Sequence, residues 1–227
     1  MGYKNLTDQN TRIYVQTGMD NKPDDAAKSA QALSTLLKQP VGYINNGTDG
    51  LTGDVGEYLP NSVSKKDVLN EYTYRTLDAK GSTLIVTHSA GNEDLRKAVL
   101  AGALYNHQYP NLSVVSLGSP VSASALQSAI DKGGATFLGQ VNDWRDPVTY
   151  SKTAATLGGG GFLAGGALFV TGIFTANPFL LYTGGSVAAG AAGAAGYGLQ
   201  NHHPLPQYIA KPESQSIMFD WLKANPY

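Results

Sequence analysis

The chain has 227 residues, no cysteine and a formal net charge of −1 at pH 7. This length suits one α/β domain, or one domain with an excursion. The near-neutral charge excludes nucleic-acid binding through a basic surface, and there is no polybasic tract for an anionic membrane. The lack of cysteine excludes disulfides and thiolate metal sites. Residues 1–5 lack the apolar run of a signal peptide, so we expect any export to use a specialised secretion system or a preceding segment.

Strands and helices alternate along the first two thirds of the chain. β-branched and aromatic runs predict strands, whereas apolar stripes at helical spacing and capping residues predict helices. In chain order the predicted elements are strand Thr11–Gln16, helix Asp24–Lys38, strand Val41–Asn45, a helix from Ser64 to about Gly81, strand Ser82–Thr87, helix Glu93–Leu104, strand Leu112–Leu117, strand Ala135–Val141 and helix Glu213–Lys223. This alternation predicts a mostly parallel central sheet with helices on both faces and its chemistry at the C-terminal ends of the strands.

The last third has a different character, because the segment from Thr153 to Ala210 contains no Asp, Glu, Lys or Arg. Its two Gly/Ala-rich apolar halves, on either side of Asn177-Pro178, are each about 20 residues long, near the length of a membrane-spanning helix. Glycine and alanine recur four residues apart in both halves, which lets two helices touch closely. We predict an apolar helical hairpin that is either a lid or a membrane-contacting element. A hairpin within a soluble core is the alternative.

This hairpin prediction divides the chain into three parts. The predicted parts are 1–156, the first part of the core; 157–199, the inserted hairpin; and 200–227, the C-terminal part of the core.

The apolar run Leu84–Val86 ends in Thr87-His88-Ser89-Ala90-Gly91, directly before a predicted helix. A strand, a sharp turn with serine at its apex and a helix form a nucleophile elbow, although Thr87 stands where the strict G-x-S-x-G motif has glycine. Ser89 is therefore the predicted nucleophile, and the N–H of Ala90 is the predicted first oxyanion donor. The second donor is predicted at Met19, because Gly18 lets the loop after the first strand approach closely.

A serine nucleophile needs a base to take its proton and an acid to orient that base. The order Ser, Asp, His favours a histidine after the hairpin, and we prefer His203 while keeping His202 as the alternate. His88 is expected to point into the surroundings of the sheet, and His107 is expected to lie in a solvated loop.

The acid of the predicted triad has two candidates just after the last predicted strand. Asp146 is preferred because Pro147 keeps it extended at a strand end, where its carboxylate can accept a hydrogen bond from imidazole. Asp143 is the alternate, since it could equally cap a turn. We expect no metal site and no cofactor. The adjacent histidines lack the i, i+4 spacing of helical zinc ligands, and the glycine-rich stretch lacks a phosphate-binding lysine.

The elbow, Gly118-Ser119-Pro120, Asp146-Pro147-Val148 and His203 with Tyr208 together resemble an α/β-hydrolase of lipase type. The early block, from Tyr14 through Gly18-Met19 to Tyr43 and Thr48, is similar to hydrolase domains at the C-termini of bacterial secreted antagonistic toxins and to type VI lipase effectors. The resemblance implies hydrolysis of esters, commonly of phospholipid, after secretion into a competitor's cell envelope. It also implies a cognate immunity protein as a partner, and the hairpin is a departure from a minimal hydrolase.

Three functions follow as hypotheses. The preferred one is a serine (phospho)lipase that acts on membrane lipid as an antibacterial effector. The second is a carboxylesterase, thioesterase or peptidase acting on a soluble substrate. The third is a non-catalytic module whose hairpin inserts into membranes while the rest of the chain is a scaffold.

Overall fold

The computed structural model of the protein describes residues 11–18, 23–44, 65–143 and 205–226. The chain divides into two compact units, one made of Met1–Val141 with Leu205–Tyr227 and the other of Asn142–Pro204. Every described helix and strand belongs to the first unit. The predicted hairpin lies outside the described residues.

The described part of the first unit contains five strands and six helices. In chain order they are β1 (Ile13–Gln16), α1 (Pro23–Leu37), β2 (Val41–Ile44), α2 (Lys65–Asp78), β3 (Thr83–His88), α3 (Gly91–Leu104), β4 (Leu112–Leu117), α4 (Ala123–Lys132), β5 (Thr136–Val141), α5 (Leu205–Ile209) and α6 (Pro212–Ala224). The strand order in the sheet is β2-β1-β3-β4-β5, and neighbouring strands pair in parallel throughout. The prediction of a mostly parallel α/β sheet is confirmed.

Alternate residues of the buried strands face two separate hydrophobic layers. In β3, Leu84 and Val86 pack into the layer formed with α1, α5 and α6. Ile85, between them, packs into the layer formed with α2, α3 and α4. Because both faces of the sheet are covered, the strands are continuous apolar runs rather than alternating ones, as is usual for parallel sheets.

Two of the described helices differ from the sequence predictions. Helix α4 was not predicted, although Ser122 caps it by accepting a hydrogen bond from the N–H of Ala125. Helix α5, which begins at Leu205, was not predicted either. Pro206 is tolerated in its first turn, where a backbone N–H has no helical partner to lose.

A buried hydrogen bond ties helix α2 to the end of β1. The hydroxyl of Tyr74 donates to Oε1 of Gln16, and both side chains are fully buried. Burial, followed by the negative charge of Asp94, raises the pKa of Tyr74 well above its usual value. Burial likewise raises the pKa of Tyr109, helped by the charge of Glu71, which accepts its hydroxyl hydrogen bond at 3.1 Å.

These two tyrosines predict a loss of stability in alkaline solution. An unfolded tyrosine ionises near pH ~10, whereas the folded protein keeps Tyr74 and Tyr109 protonated, so the folded state binds more protons. Their contribution to the free energy of unfolding is therefore complete below pH ~10 and is lost as the pH rises above it. Denaturant titrations at a series of alkaline pH values are expected to show a falling free energy of unfolding and a shallower fall in Tyr74→Phe. An equal slope in wild type, Tyr74→Phe and the control Tyr72→Phe, an exposed tyrosine on the same helix, would contradict this.

Candidate functional site

Ser89 occupies the turn between β3 and α3 and has a backbone φ of +56°. For a residue with a side chain this left-handed conformation costs about 1–2 kcal/mol. Such strain persists only where the surroundings over-determine it, and it concentrates at functional sites. The strand, turn and helix predicted around Ser89 are thus present, with the serine at the strained position.

The position of Ser89 in the sheet is also informative. From β1 the chain crosses over α1 to β2 on one side, whereas from β3 it crosses over α3 to β4 on the other side. Because these connections run in opposite directions, the strand order reverses between β1 and β3, and such a reversal in an open parallel sheet is where a crevice is expected at the C-terminal ends of the strands. Open parallel sheets bind their ligands at such a point, and Ser89 and Gly18 directly follow the two strands that flank it.

Two glycines bring the loop after β1 against the turn that holds Ser89. A Cβ atom added to Gly18 would overlap the backbone N of Ala90 and come within 2.8 Å of its Cβ. A Cβ atom added to Gly91 would lie 2.8 Å from the carbonyl oxygen of Gln16. The close approach predicted at Gly18 is therefore present, and it is made to the residue directly after Ser89.

The backbone N–H of Ala90 is the hydrogen-bond donor nearest in sequence to the Ser89 hydroxyl. Ala90 is the N-cap residue of α3, and no side chain caps this helix. Among the hydrogen bonds of the described residues, none uses the Ala90 N–H, although Ala90 is only 5% exposed. A helix N-terminus carries a positive partial charge, so this N–H is suited to stabilise a negative charge that develops beside Ser89.

A second feature of the turn, which the sequence analysis missed, is the buried side chain of Asn92. Its amide donates to the carbonyl oxygens of Ser89 and Leu117, at 3.0 and 3.3 Å. Its Oδ1 accepts from the hydroxyl of Thr87. The local signal in the sequence was only a polar residue directly after Ser89-Ala90-Gly91, because its partner on β4 is 25 positions away.

The structure describes only part of the predicted site. Ser89, Ala90 and Gly18 lie together at the C-terminal edge of the sheet. Asp143, two positions after β5, is buried. The predicted site residues that lie outside the described residues are Met19, Asp146, His202 and His203. Within the described ranges, no hydrogen-bond partner of the Ser89 hydroxyl is present.

The other two histidines are both described. The His88 ring is buried and packs against the Tyr208 ring with their centroids 5.6 Å apart, so it points into the sheet surroundings as predicted.

The loop predicted around His107 is present, and its residues Tyr105, Asn106 and Gln108 are exposed, but the sequence did not predict the contacts of the His107 ring. The ring of His107 is half-buried and hydrogen-bonds to Glu71, with 2.7 Å between His107 Nδ1 and Glu71 Oε1. Arg75 lies 3.3 Å from its Nε2, and since arginine only donates, Nε2 accepts and Nδ1 donates. His107 follows the C-terminal end of α3 and Ser89 precedes its N-terminal end, so the 14 residues of this helix separate them by about 20 Å.

Helix α5 lies against the end of β3 and the turn that follows β4. A Cβ atom added to Gly118, just after β4, would come within 2.9 Å of the Tyr208 ring, which also contacts His88. At the end of β5, the carbonyl oxygen of Val141 accepts from the N–H of Gly118 at 3.0 Å. The described chain thus leaves the sheet after β5, and returns at α5, on the edge where Ser89 lies.

The described ranges contain no cluster of three or more histidine and acidic side chains that could hold a metal ion. None of the helices in those ranges is long and apolar enough to cross a membrane.

The chain matches no known protein family, no curated protein and no solved structure. The resemblance to α/β-hydrolases of lipase type therefore stays a prediction from the sequence.

Proposed function

We propose that this protein is a serine ester hydrolase of the α/β-hydrolase type, with a triad of Ser89, Asp146 and His203. The observation that carries the proposal is the left-handed backbone of Ser89 at a strand-to-helix turn, with φ at +56°. In nucleophile elbows this strained turn exposes the serine hydroxyl above the sheet and directs the following helix N-terminus at the reacting carbonyl.

The proposed reaction proceeds through an acyl-enzyme. Ser89 Oγ attacks the ester carbonyl carbon while His203 takes its proton, and the N–H groups of Ala90 and Met19 stabilise the oxyanion. His203 then gives that proton to the leaving alcohol, and Asp146 holds the imidazole in the required tautomer. Water, deprotonated by His203, releases the acid and restores Ser89.

The loop after β1 supports the role of Met19. In α/β-hydrolases the second oxyanion donor comes from the loop after an early strand, beside the N–H of the residue that follows the nucleophile. Gly18 meets that residue, Ala90, at a distance that excludes any side chain. The next position along the chain is Met19, whose N–H is therefore the proposed donor.

Chain connectivity supports the acid and the base. Asp146 comes five positions after the end of β5, and His203 comes two positions before the start of α5. Val141 ends β5 beside Gly118, and Tyr208 of α5 contacts both Gly118 and His88, next to Ser89. Asp143 and His202 remain the alternates for the two roles.

The proposed substrate is membrane phospholipid. The support is the uncharged apolar segment 153–210, which follows Asp146 in sequence and contains His203. An uncharged apolar segment that is joined in sequence to the proposed acid and base would favour binding to a bilayer surface, where phospholipid esters are the available substrates. The wider proposal is an antibacterial toxin, exported by a specialised system such as type VI secretion into the target envelope and neutralised in the producer by an immunity protein.

The proposal is tested by release of fatty acid from phospholipid vesicles and by hydrolysis of a short p-nitrophenyl ester. Wild type is expected to hydrolyse the vesicle lipid, and Ser89→Ala is expected to hydrolyse neither substrate. Turnover of the short ester alone would favour the soluble carboxylesterase. Permeabilised vesicles without ester hydrolysis, in wild type and Ser89→Ala alike, would favour the membrane-inserting module.

Gly18→Ala is expected to impair the proposed reaction strongly. Its new Cβ would displace the loop after β1 from Ala90, and the loss of one oxyanion donor lowers kcat by about 10²–10³-fold. The matched control is Gly133→Ala, whose Cβ would overlap Val99 Cγ1 on another part of the fold. Steady-state kinetics on folded protein should show the loss in Gly18→Ala only. An equal loss in both variants would mean that the effect is general destabilisation.

A further inference from the structure

The side chain of Asn92 joins the turn that contains Ser89 to the ends of β3 and β4 through three hydrogen bonds. Its two amide hydrogens go to the carbonyl oxygens of Ser89 and Leu117, 3.0 and 3.3 Å from Nδ2. Its Oδ1 accepts from Thr87 Oγ1 at 2.5 Å. The side chain is fully buried, so it has no access to a substrate.

The backbone of Ser89 is held by two further hydrogen bonds, both between backbone groups. The Ser89 N–H donates to the carbonyl oxygen of Leu117 at 3.1 Å, and its carbonyl oxygen accepts the backbone N–H of Asn92 at 3.1 Å. The Asn92 amide bridges the same two carbonyl oxygens. The turn is thereby tied to the end of β4 through both Ser89 itself and Asn92.

We propose that Asn92 is a positioning residue, which holds Ser89 in its left-handed conformation and so aims the hydroxyl at the substrate. This inference rests on the proposed function of Ser89 as the nucleophile. A strained backbone persists only when its surroundings leave no alternative, and Asn92 is the side chain that fixes the Ser89 carbonyl. Its bond to Leu117 also sets the height of the turn above the sheet.

Asparagine suits this position because it combines two donor hydrogens with one acceptor at the same reach. An aspartate has the same shape but, when ionised, only accepts, so it would face two carbonyl oxygens without a hydrogen between them. Alanine would leave the Thr87 hydroxyl and the Leu117 carbonyl without the Asn92 side chain. Both changes remove the side-chain hydrogen bond to the Ser89 carbonyl oxygen and leave it only the backbone N–H of residue 92, and both are expected to let Ser89 relax to negative φ.

The test compares Asn92→Ala and Asn92→Asp with Asn70→Ala. Asn70 is the matched control because it is also a buried asparagine on a helix, and its Nδ2 has no hydrogen-bond partner among the residues that the structure describes. For the Asn92 variants, kcat and the rate of phosphonylation of Ser89 by an activated organophosphonate are expected to fall about 100-fold, with KM unchanged. Asn70→Ala is expected to keep wild-type values for all three constants.

Two outcomes would overturn the inference. The first is a lower melting temperature for the Asn92 variants with an unchanged kcat per folded molecule, which is the result of a purely structural role. The second is a crystal structure of Asn92→Ala in which Ser89 keeps its positive φ. That structure does not depend on activity, so it tests the role of Asn92 even if wild type hydrolyses no ester and the proposed function fails.

Discussion

Replacing Ser89 with alanine is expected to lower kcat for ester hydrolysis by at least about 10⁴-fold, because the variant has no nucleophile to form the acyl-enzyme. Residual hydrolysis over water would come from the oxyanion donors and from binding, which the variant keeps. The fold should survive, since the lost hydroxyl accepts or donates no hydrogen bond within the described residues. KM is therefore expected to change little, and circular dichroism should match that of wild type.

The matched control for this prediction is Ser119→Ala. Ser119 lies in the turn after β4, at the same edge of the sheet, but its hydroxyl is engaged by the backbone of Val121 at 3.0 Å. Steady-state rates with a short ester measure both variants under one set of conditions. A Ser89→Ala variant that keeps the wild-type kcat would reject Ser89 as the nucleophile, whereas a loss in Ser119→Ala alone would move the nucleophile to the turn after β4.

Replacing His203 with alanine is expected to lower kcat about as far as Ser89→Ala does, because members of a triad act as a unit. His202→Ala is the matched control, since it removes the same ring from the adjacent position and is expected to keep most of the activity. The rate of Ser89 phosphonylation gives an independent measure of the base. If His202→Ala loses activity and His203→Ala keeps it, the two roles are exchanged. If both stay active, the base is not in this pair.

The acid of the proposed triad is identified by comparing the kcat values of Asp146→Asn and Asp143→Asn. An amide at the acid's position leaves the geometry intact but holds the imidazole in the wrong tautomer, which in serine proteases lowers kcat by about 10⁴-fold. We expect that loss in Asp146→Asn and only a small effect in Asp143→Asn. The reverse pattern would assign the acid to Asp143.

The sheet was largely predictable from sequence, and the reason is local. A strand buried on both faces must be apolar at successive positions, and Leu84–Val86 in β3 shows that run directly. The turn at Ser89 was predictable as well, because its small residues and the following helix are contiguous in sequence. Helix α4 was missed, although Leu126, Ala129 and Ile130 are buried on one face and have helical spacing.

The interactions that hold the site were not predictable, because they join residues far apart in the chain. The sequence around Asn92 does not indicate that its amide reaches Leu117 on β4. In the same way, the sequence predicts the loop that contains His107 but not the contact of its ring with Glu71, which lies 36 positions earlier, on α2. Glycine at position 18 indicated a close approach, but only the parallel pairing of β1 and β3 identifies Ala90 as the residue approached.

The most direct test of Ser89 as a nucleophile is covalent labelling with an activated fluorophosphonate, followed by peptide mass spectrometry. The reagent phosphonylates an activated serine and releases fluoride, whatever ester the enzyme hydrolyses. We predict one adduct, on the peptide that contains Ser89, which is absent from Ser89→Ala and retained by Ser119→Ala. Folded wild-type protein that forms no adduct, or that carries it on another serine, would contradict the assignment of Ser89 as the nucleophile.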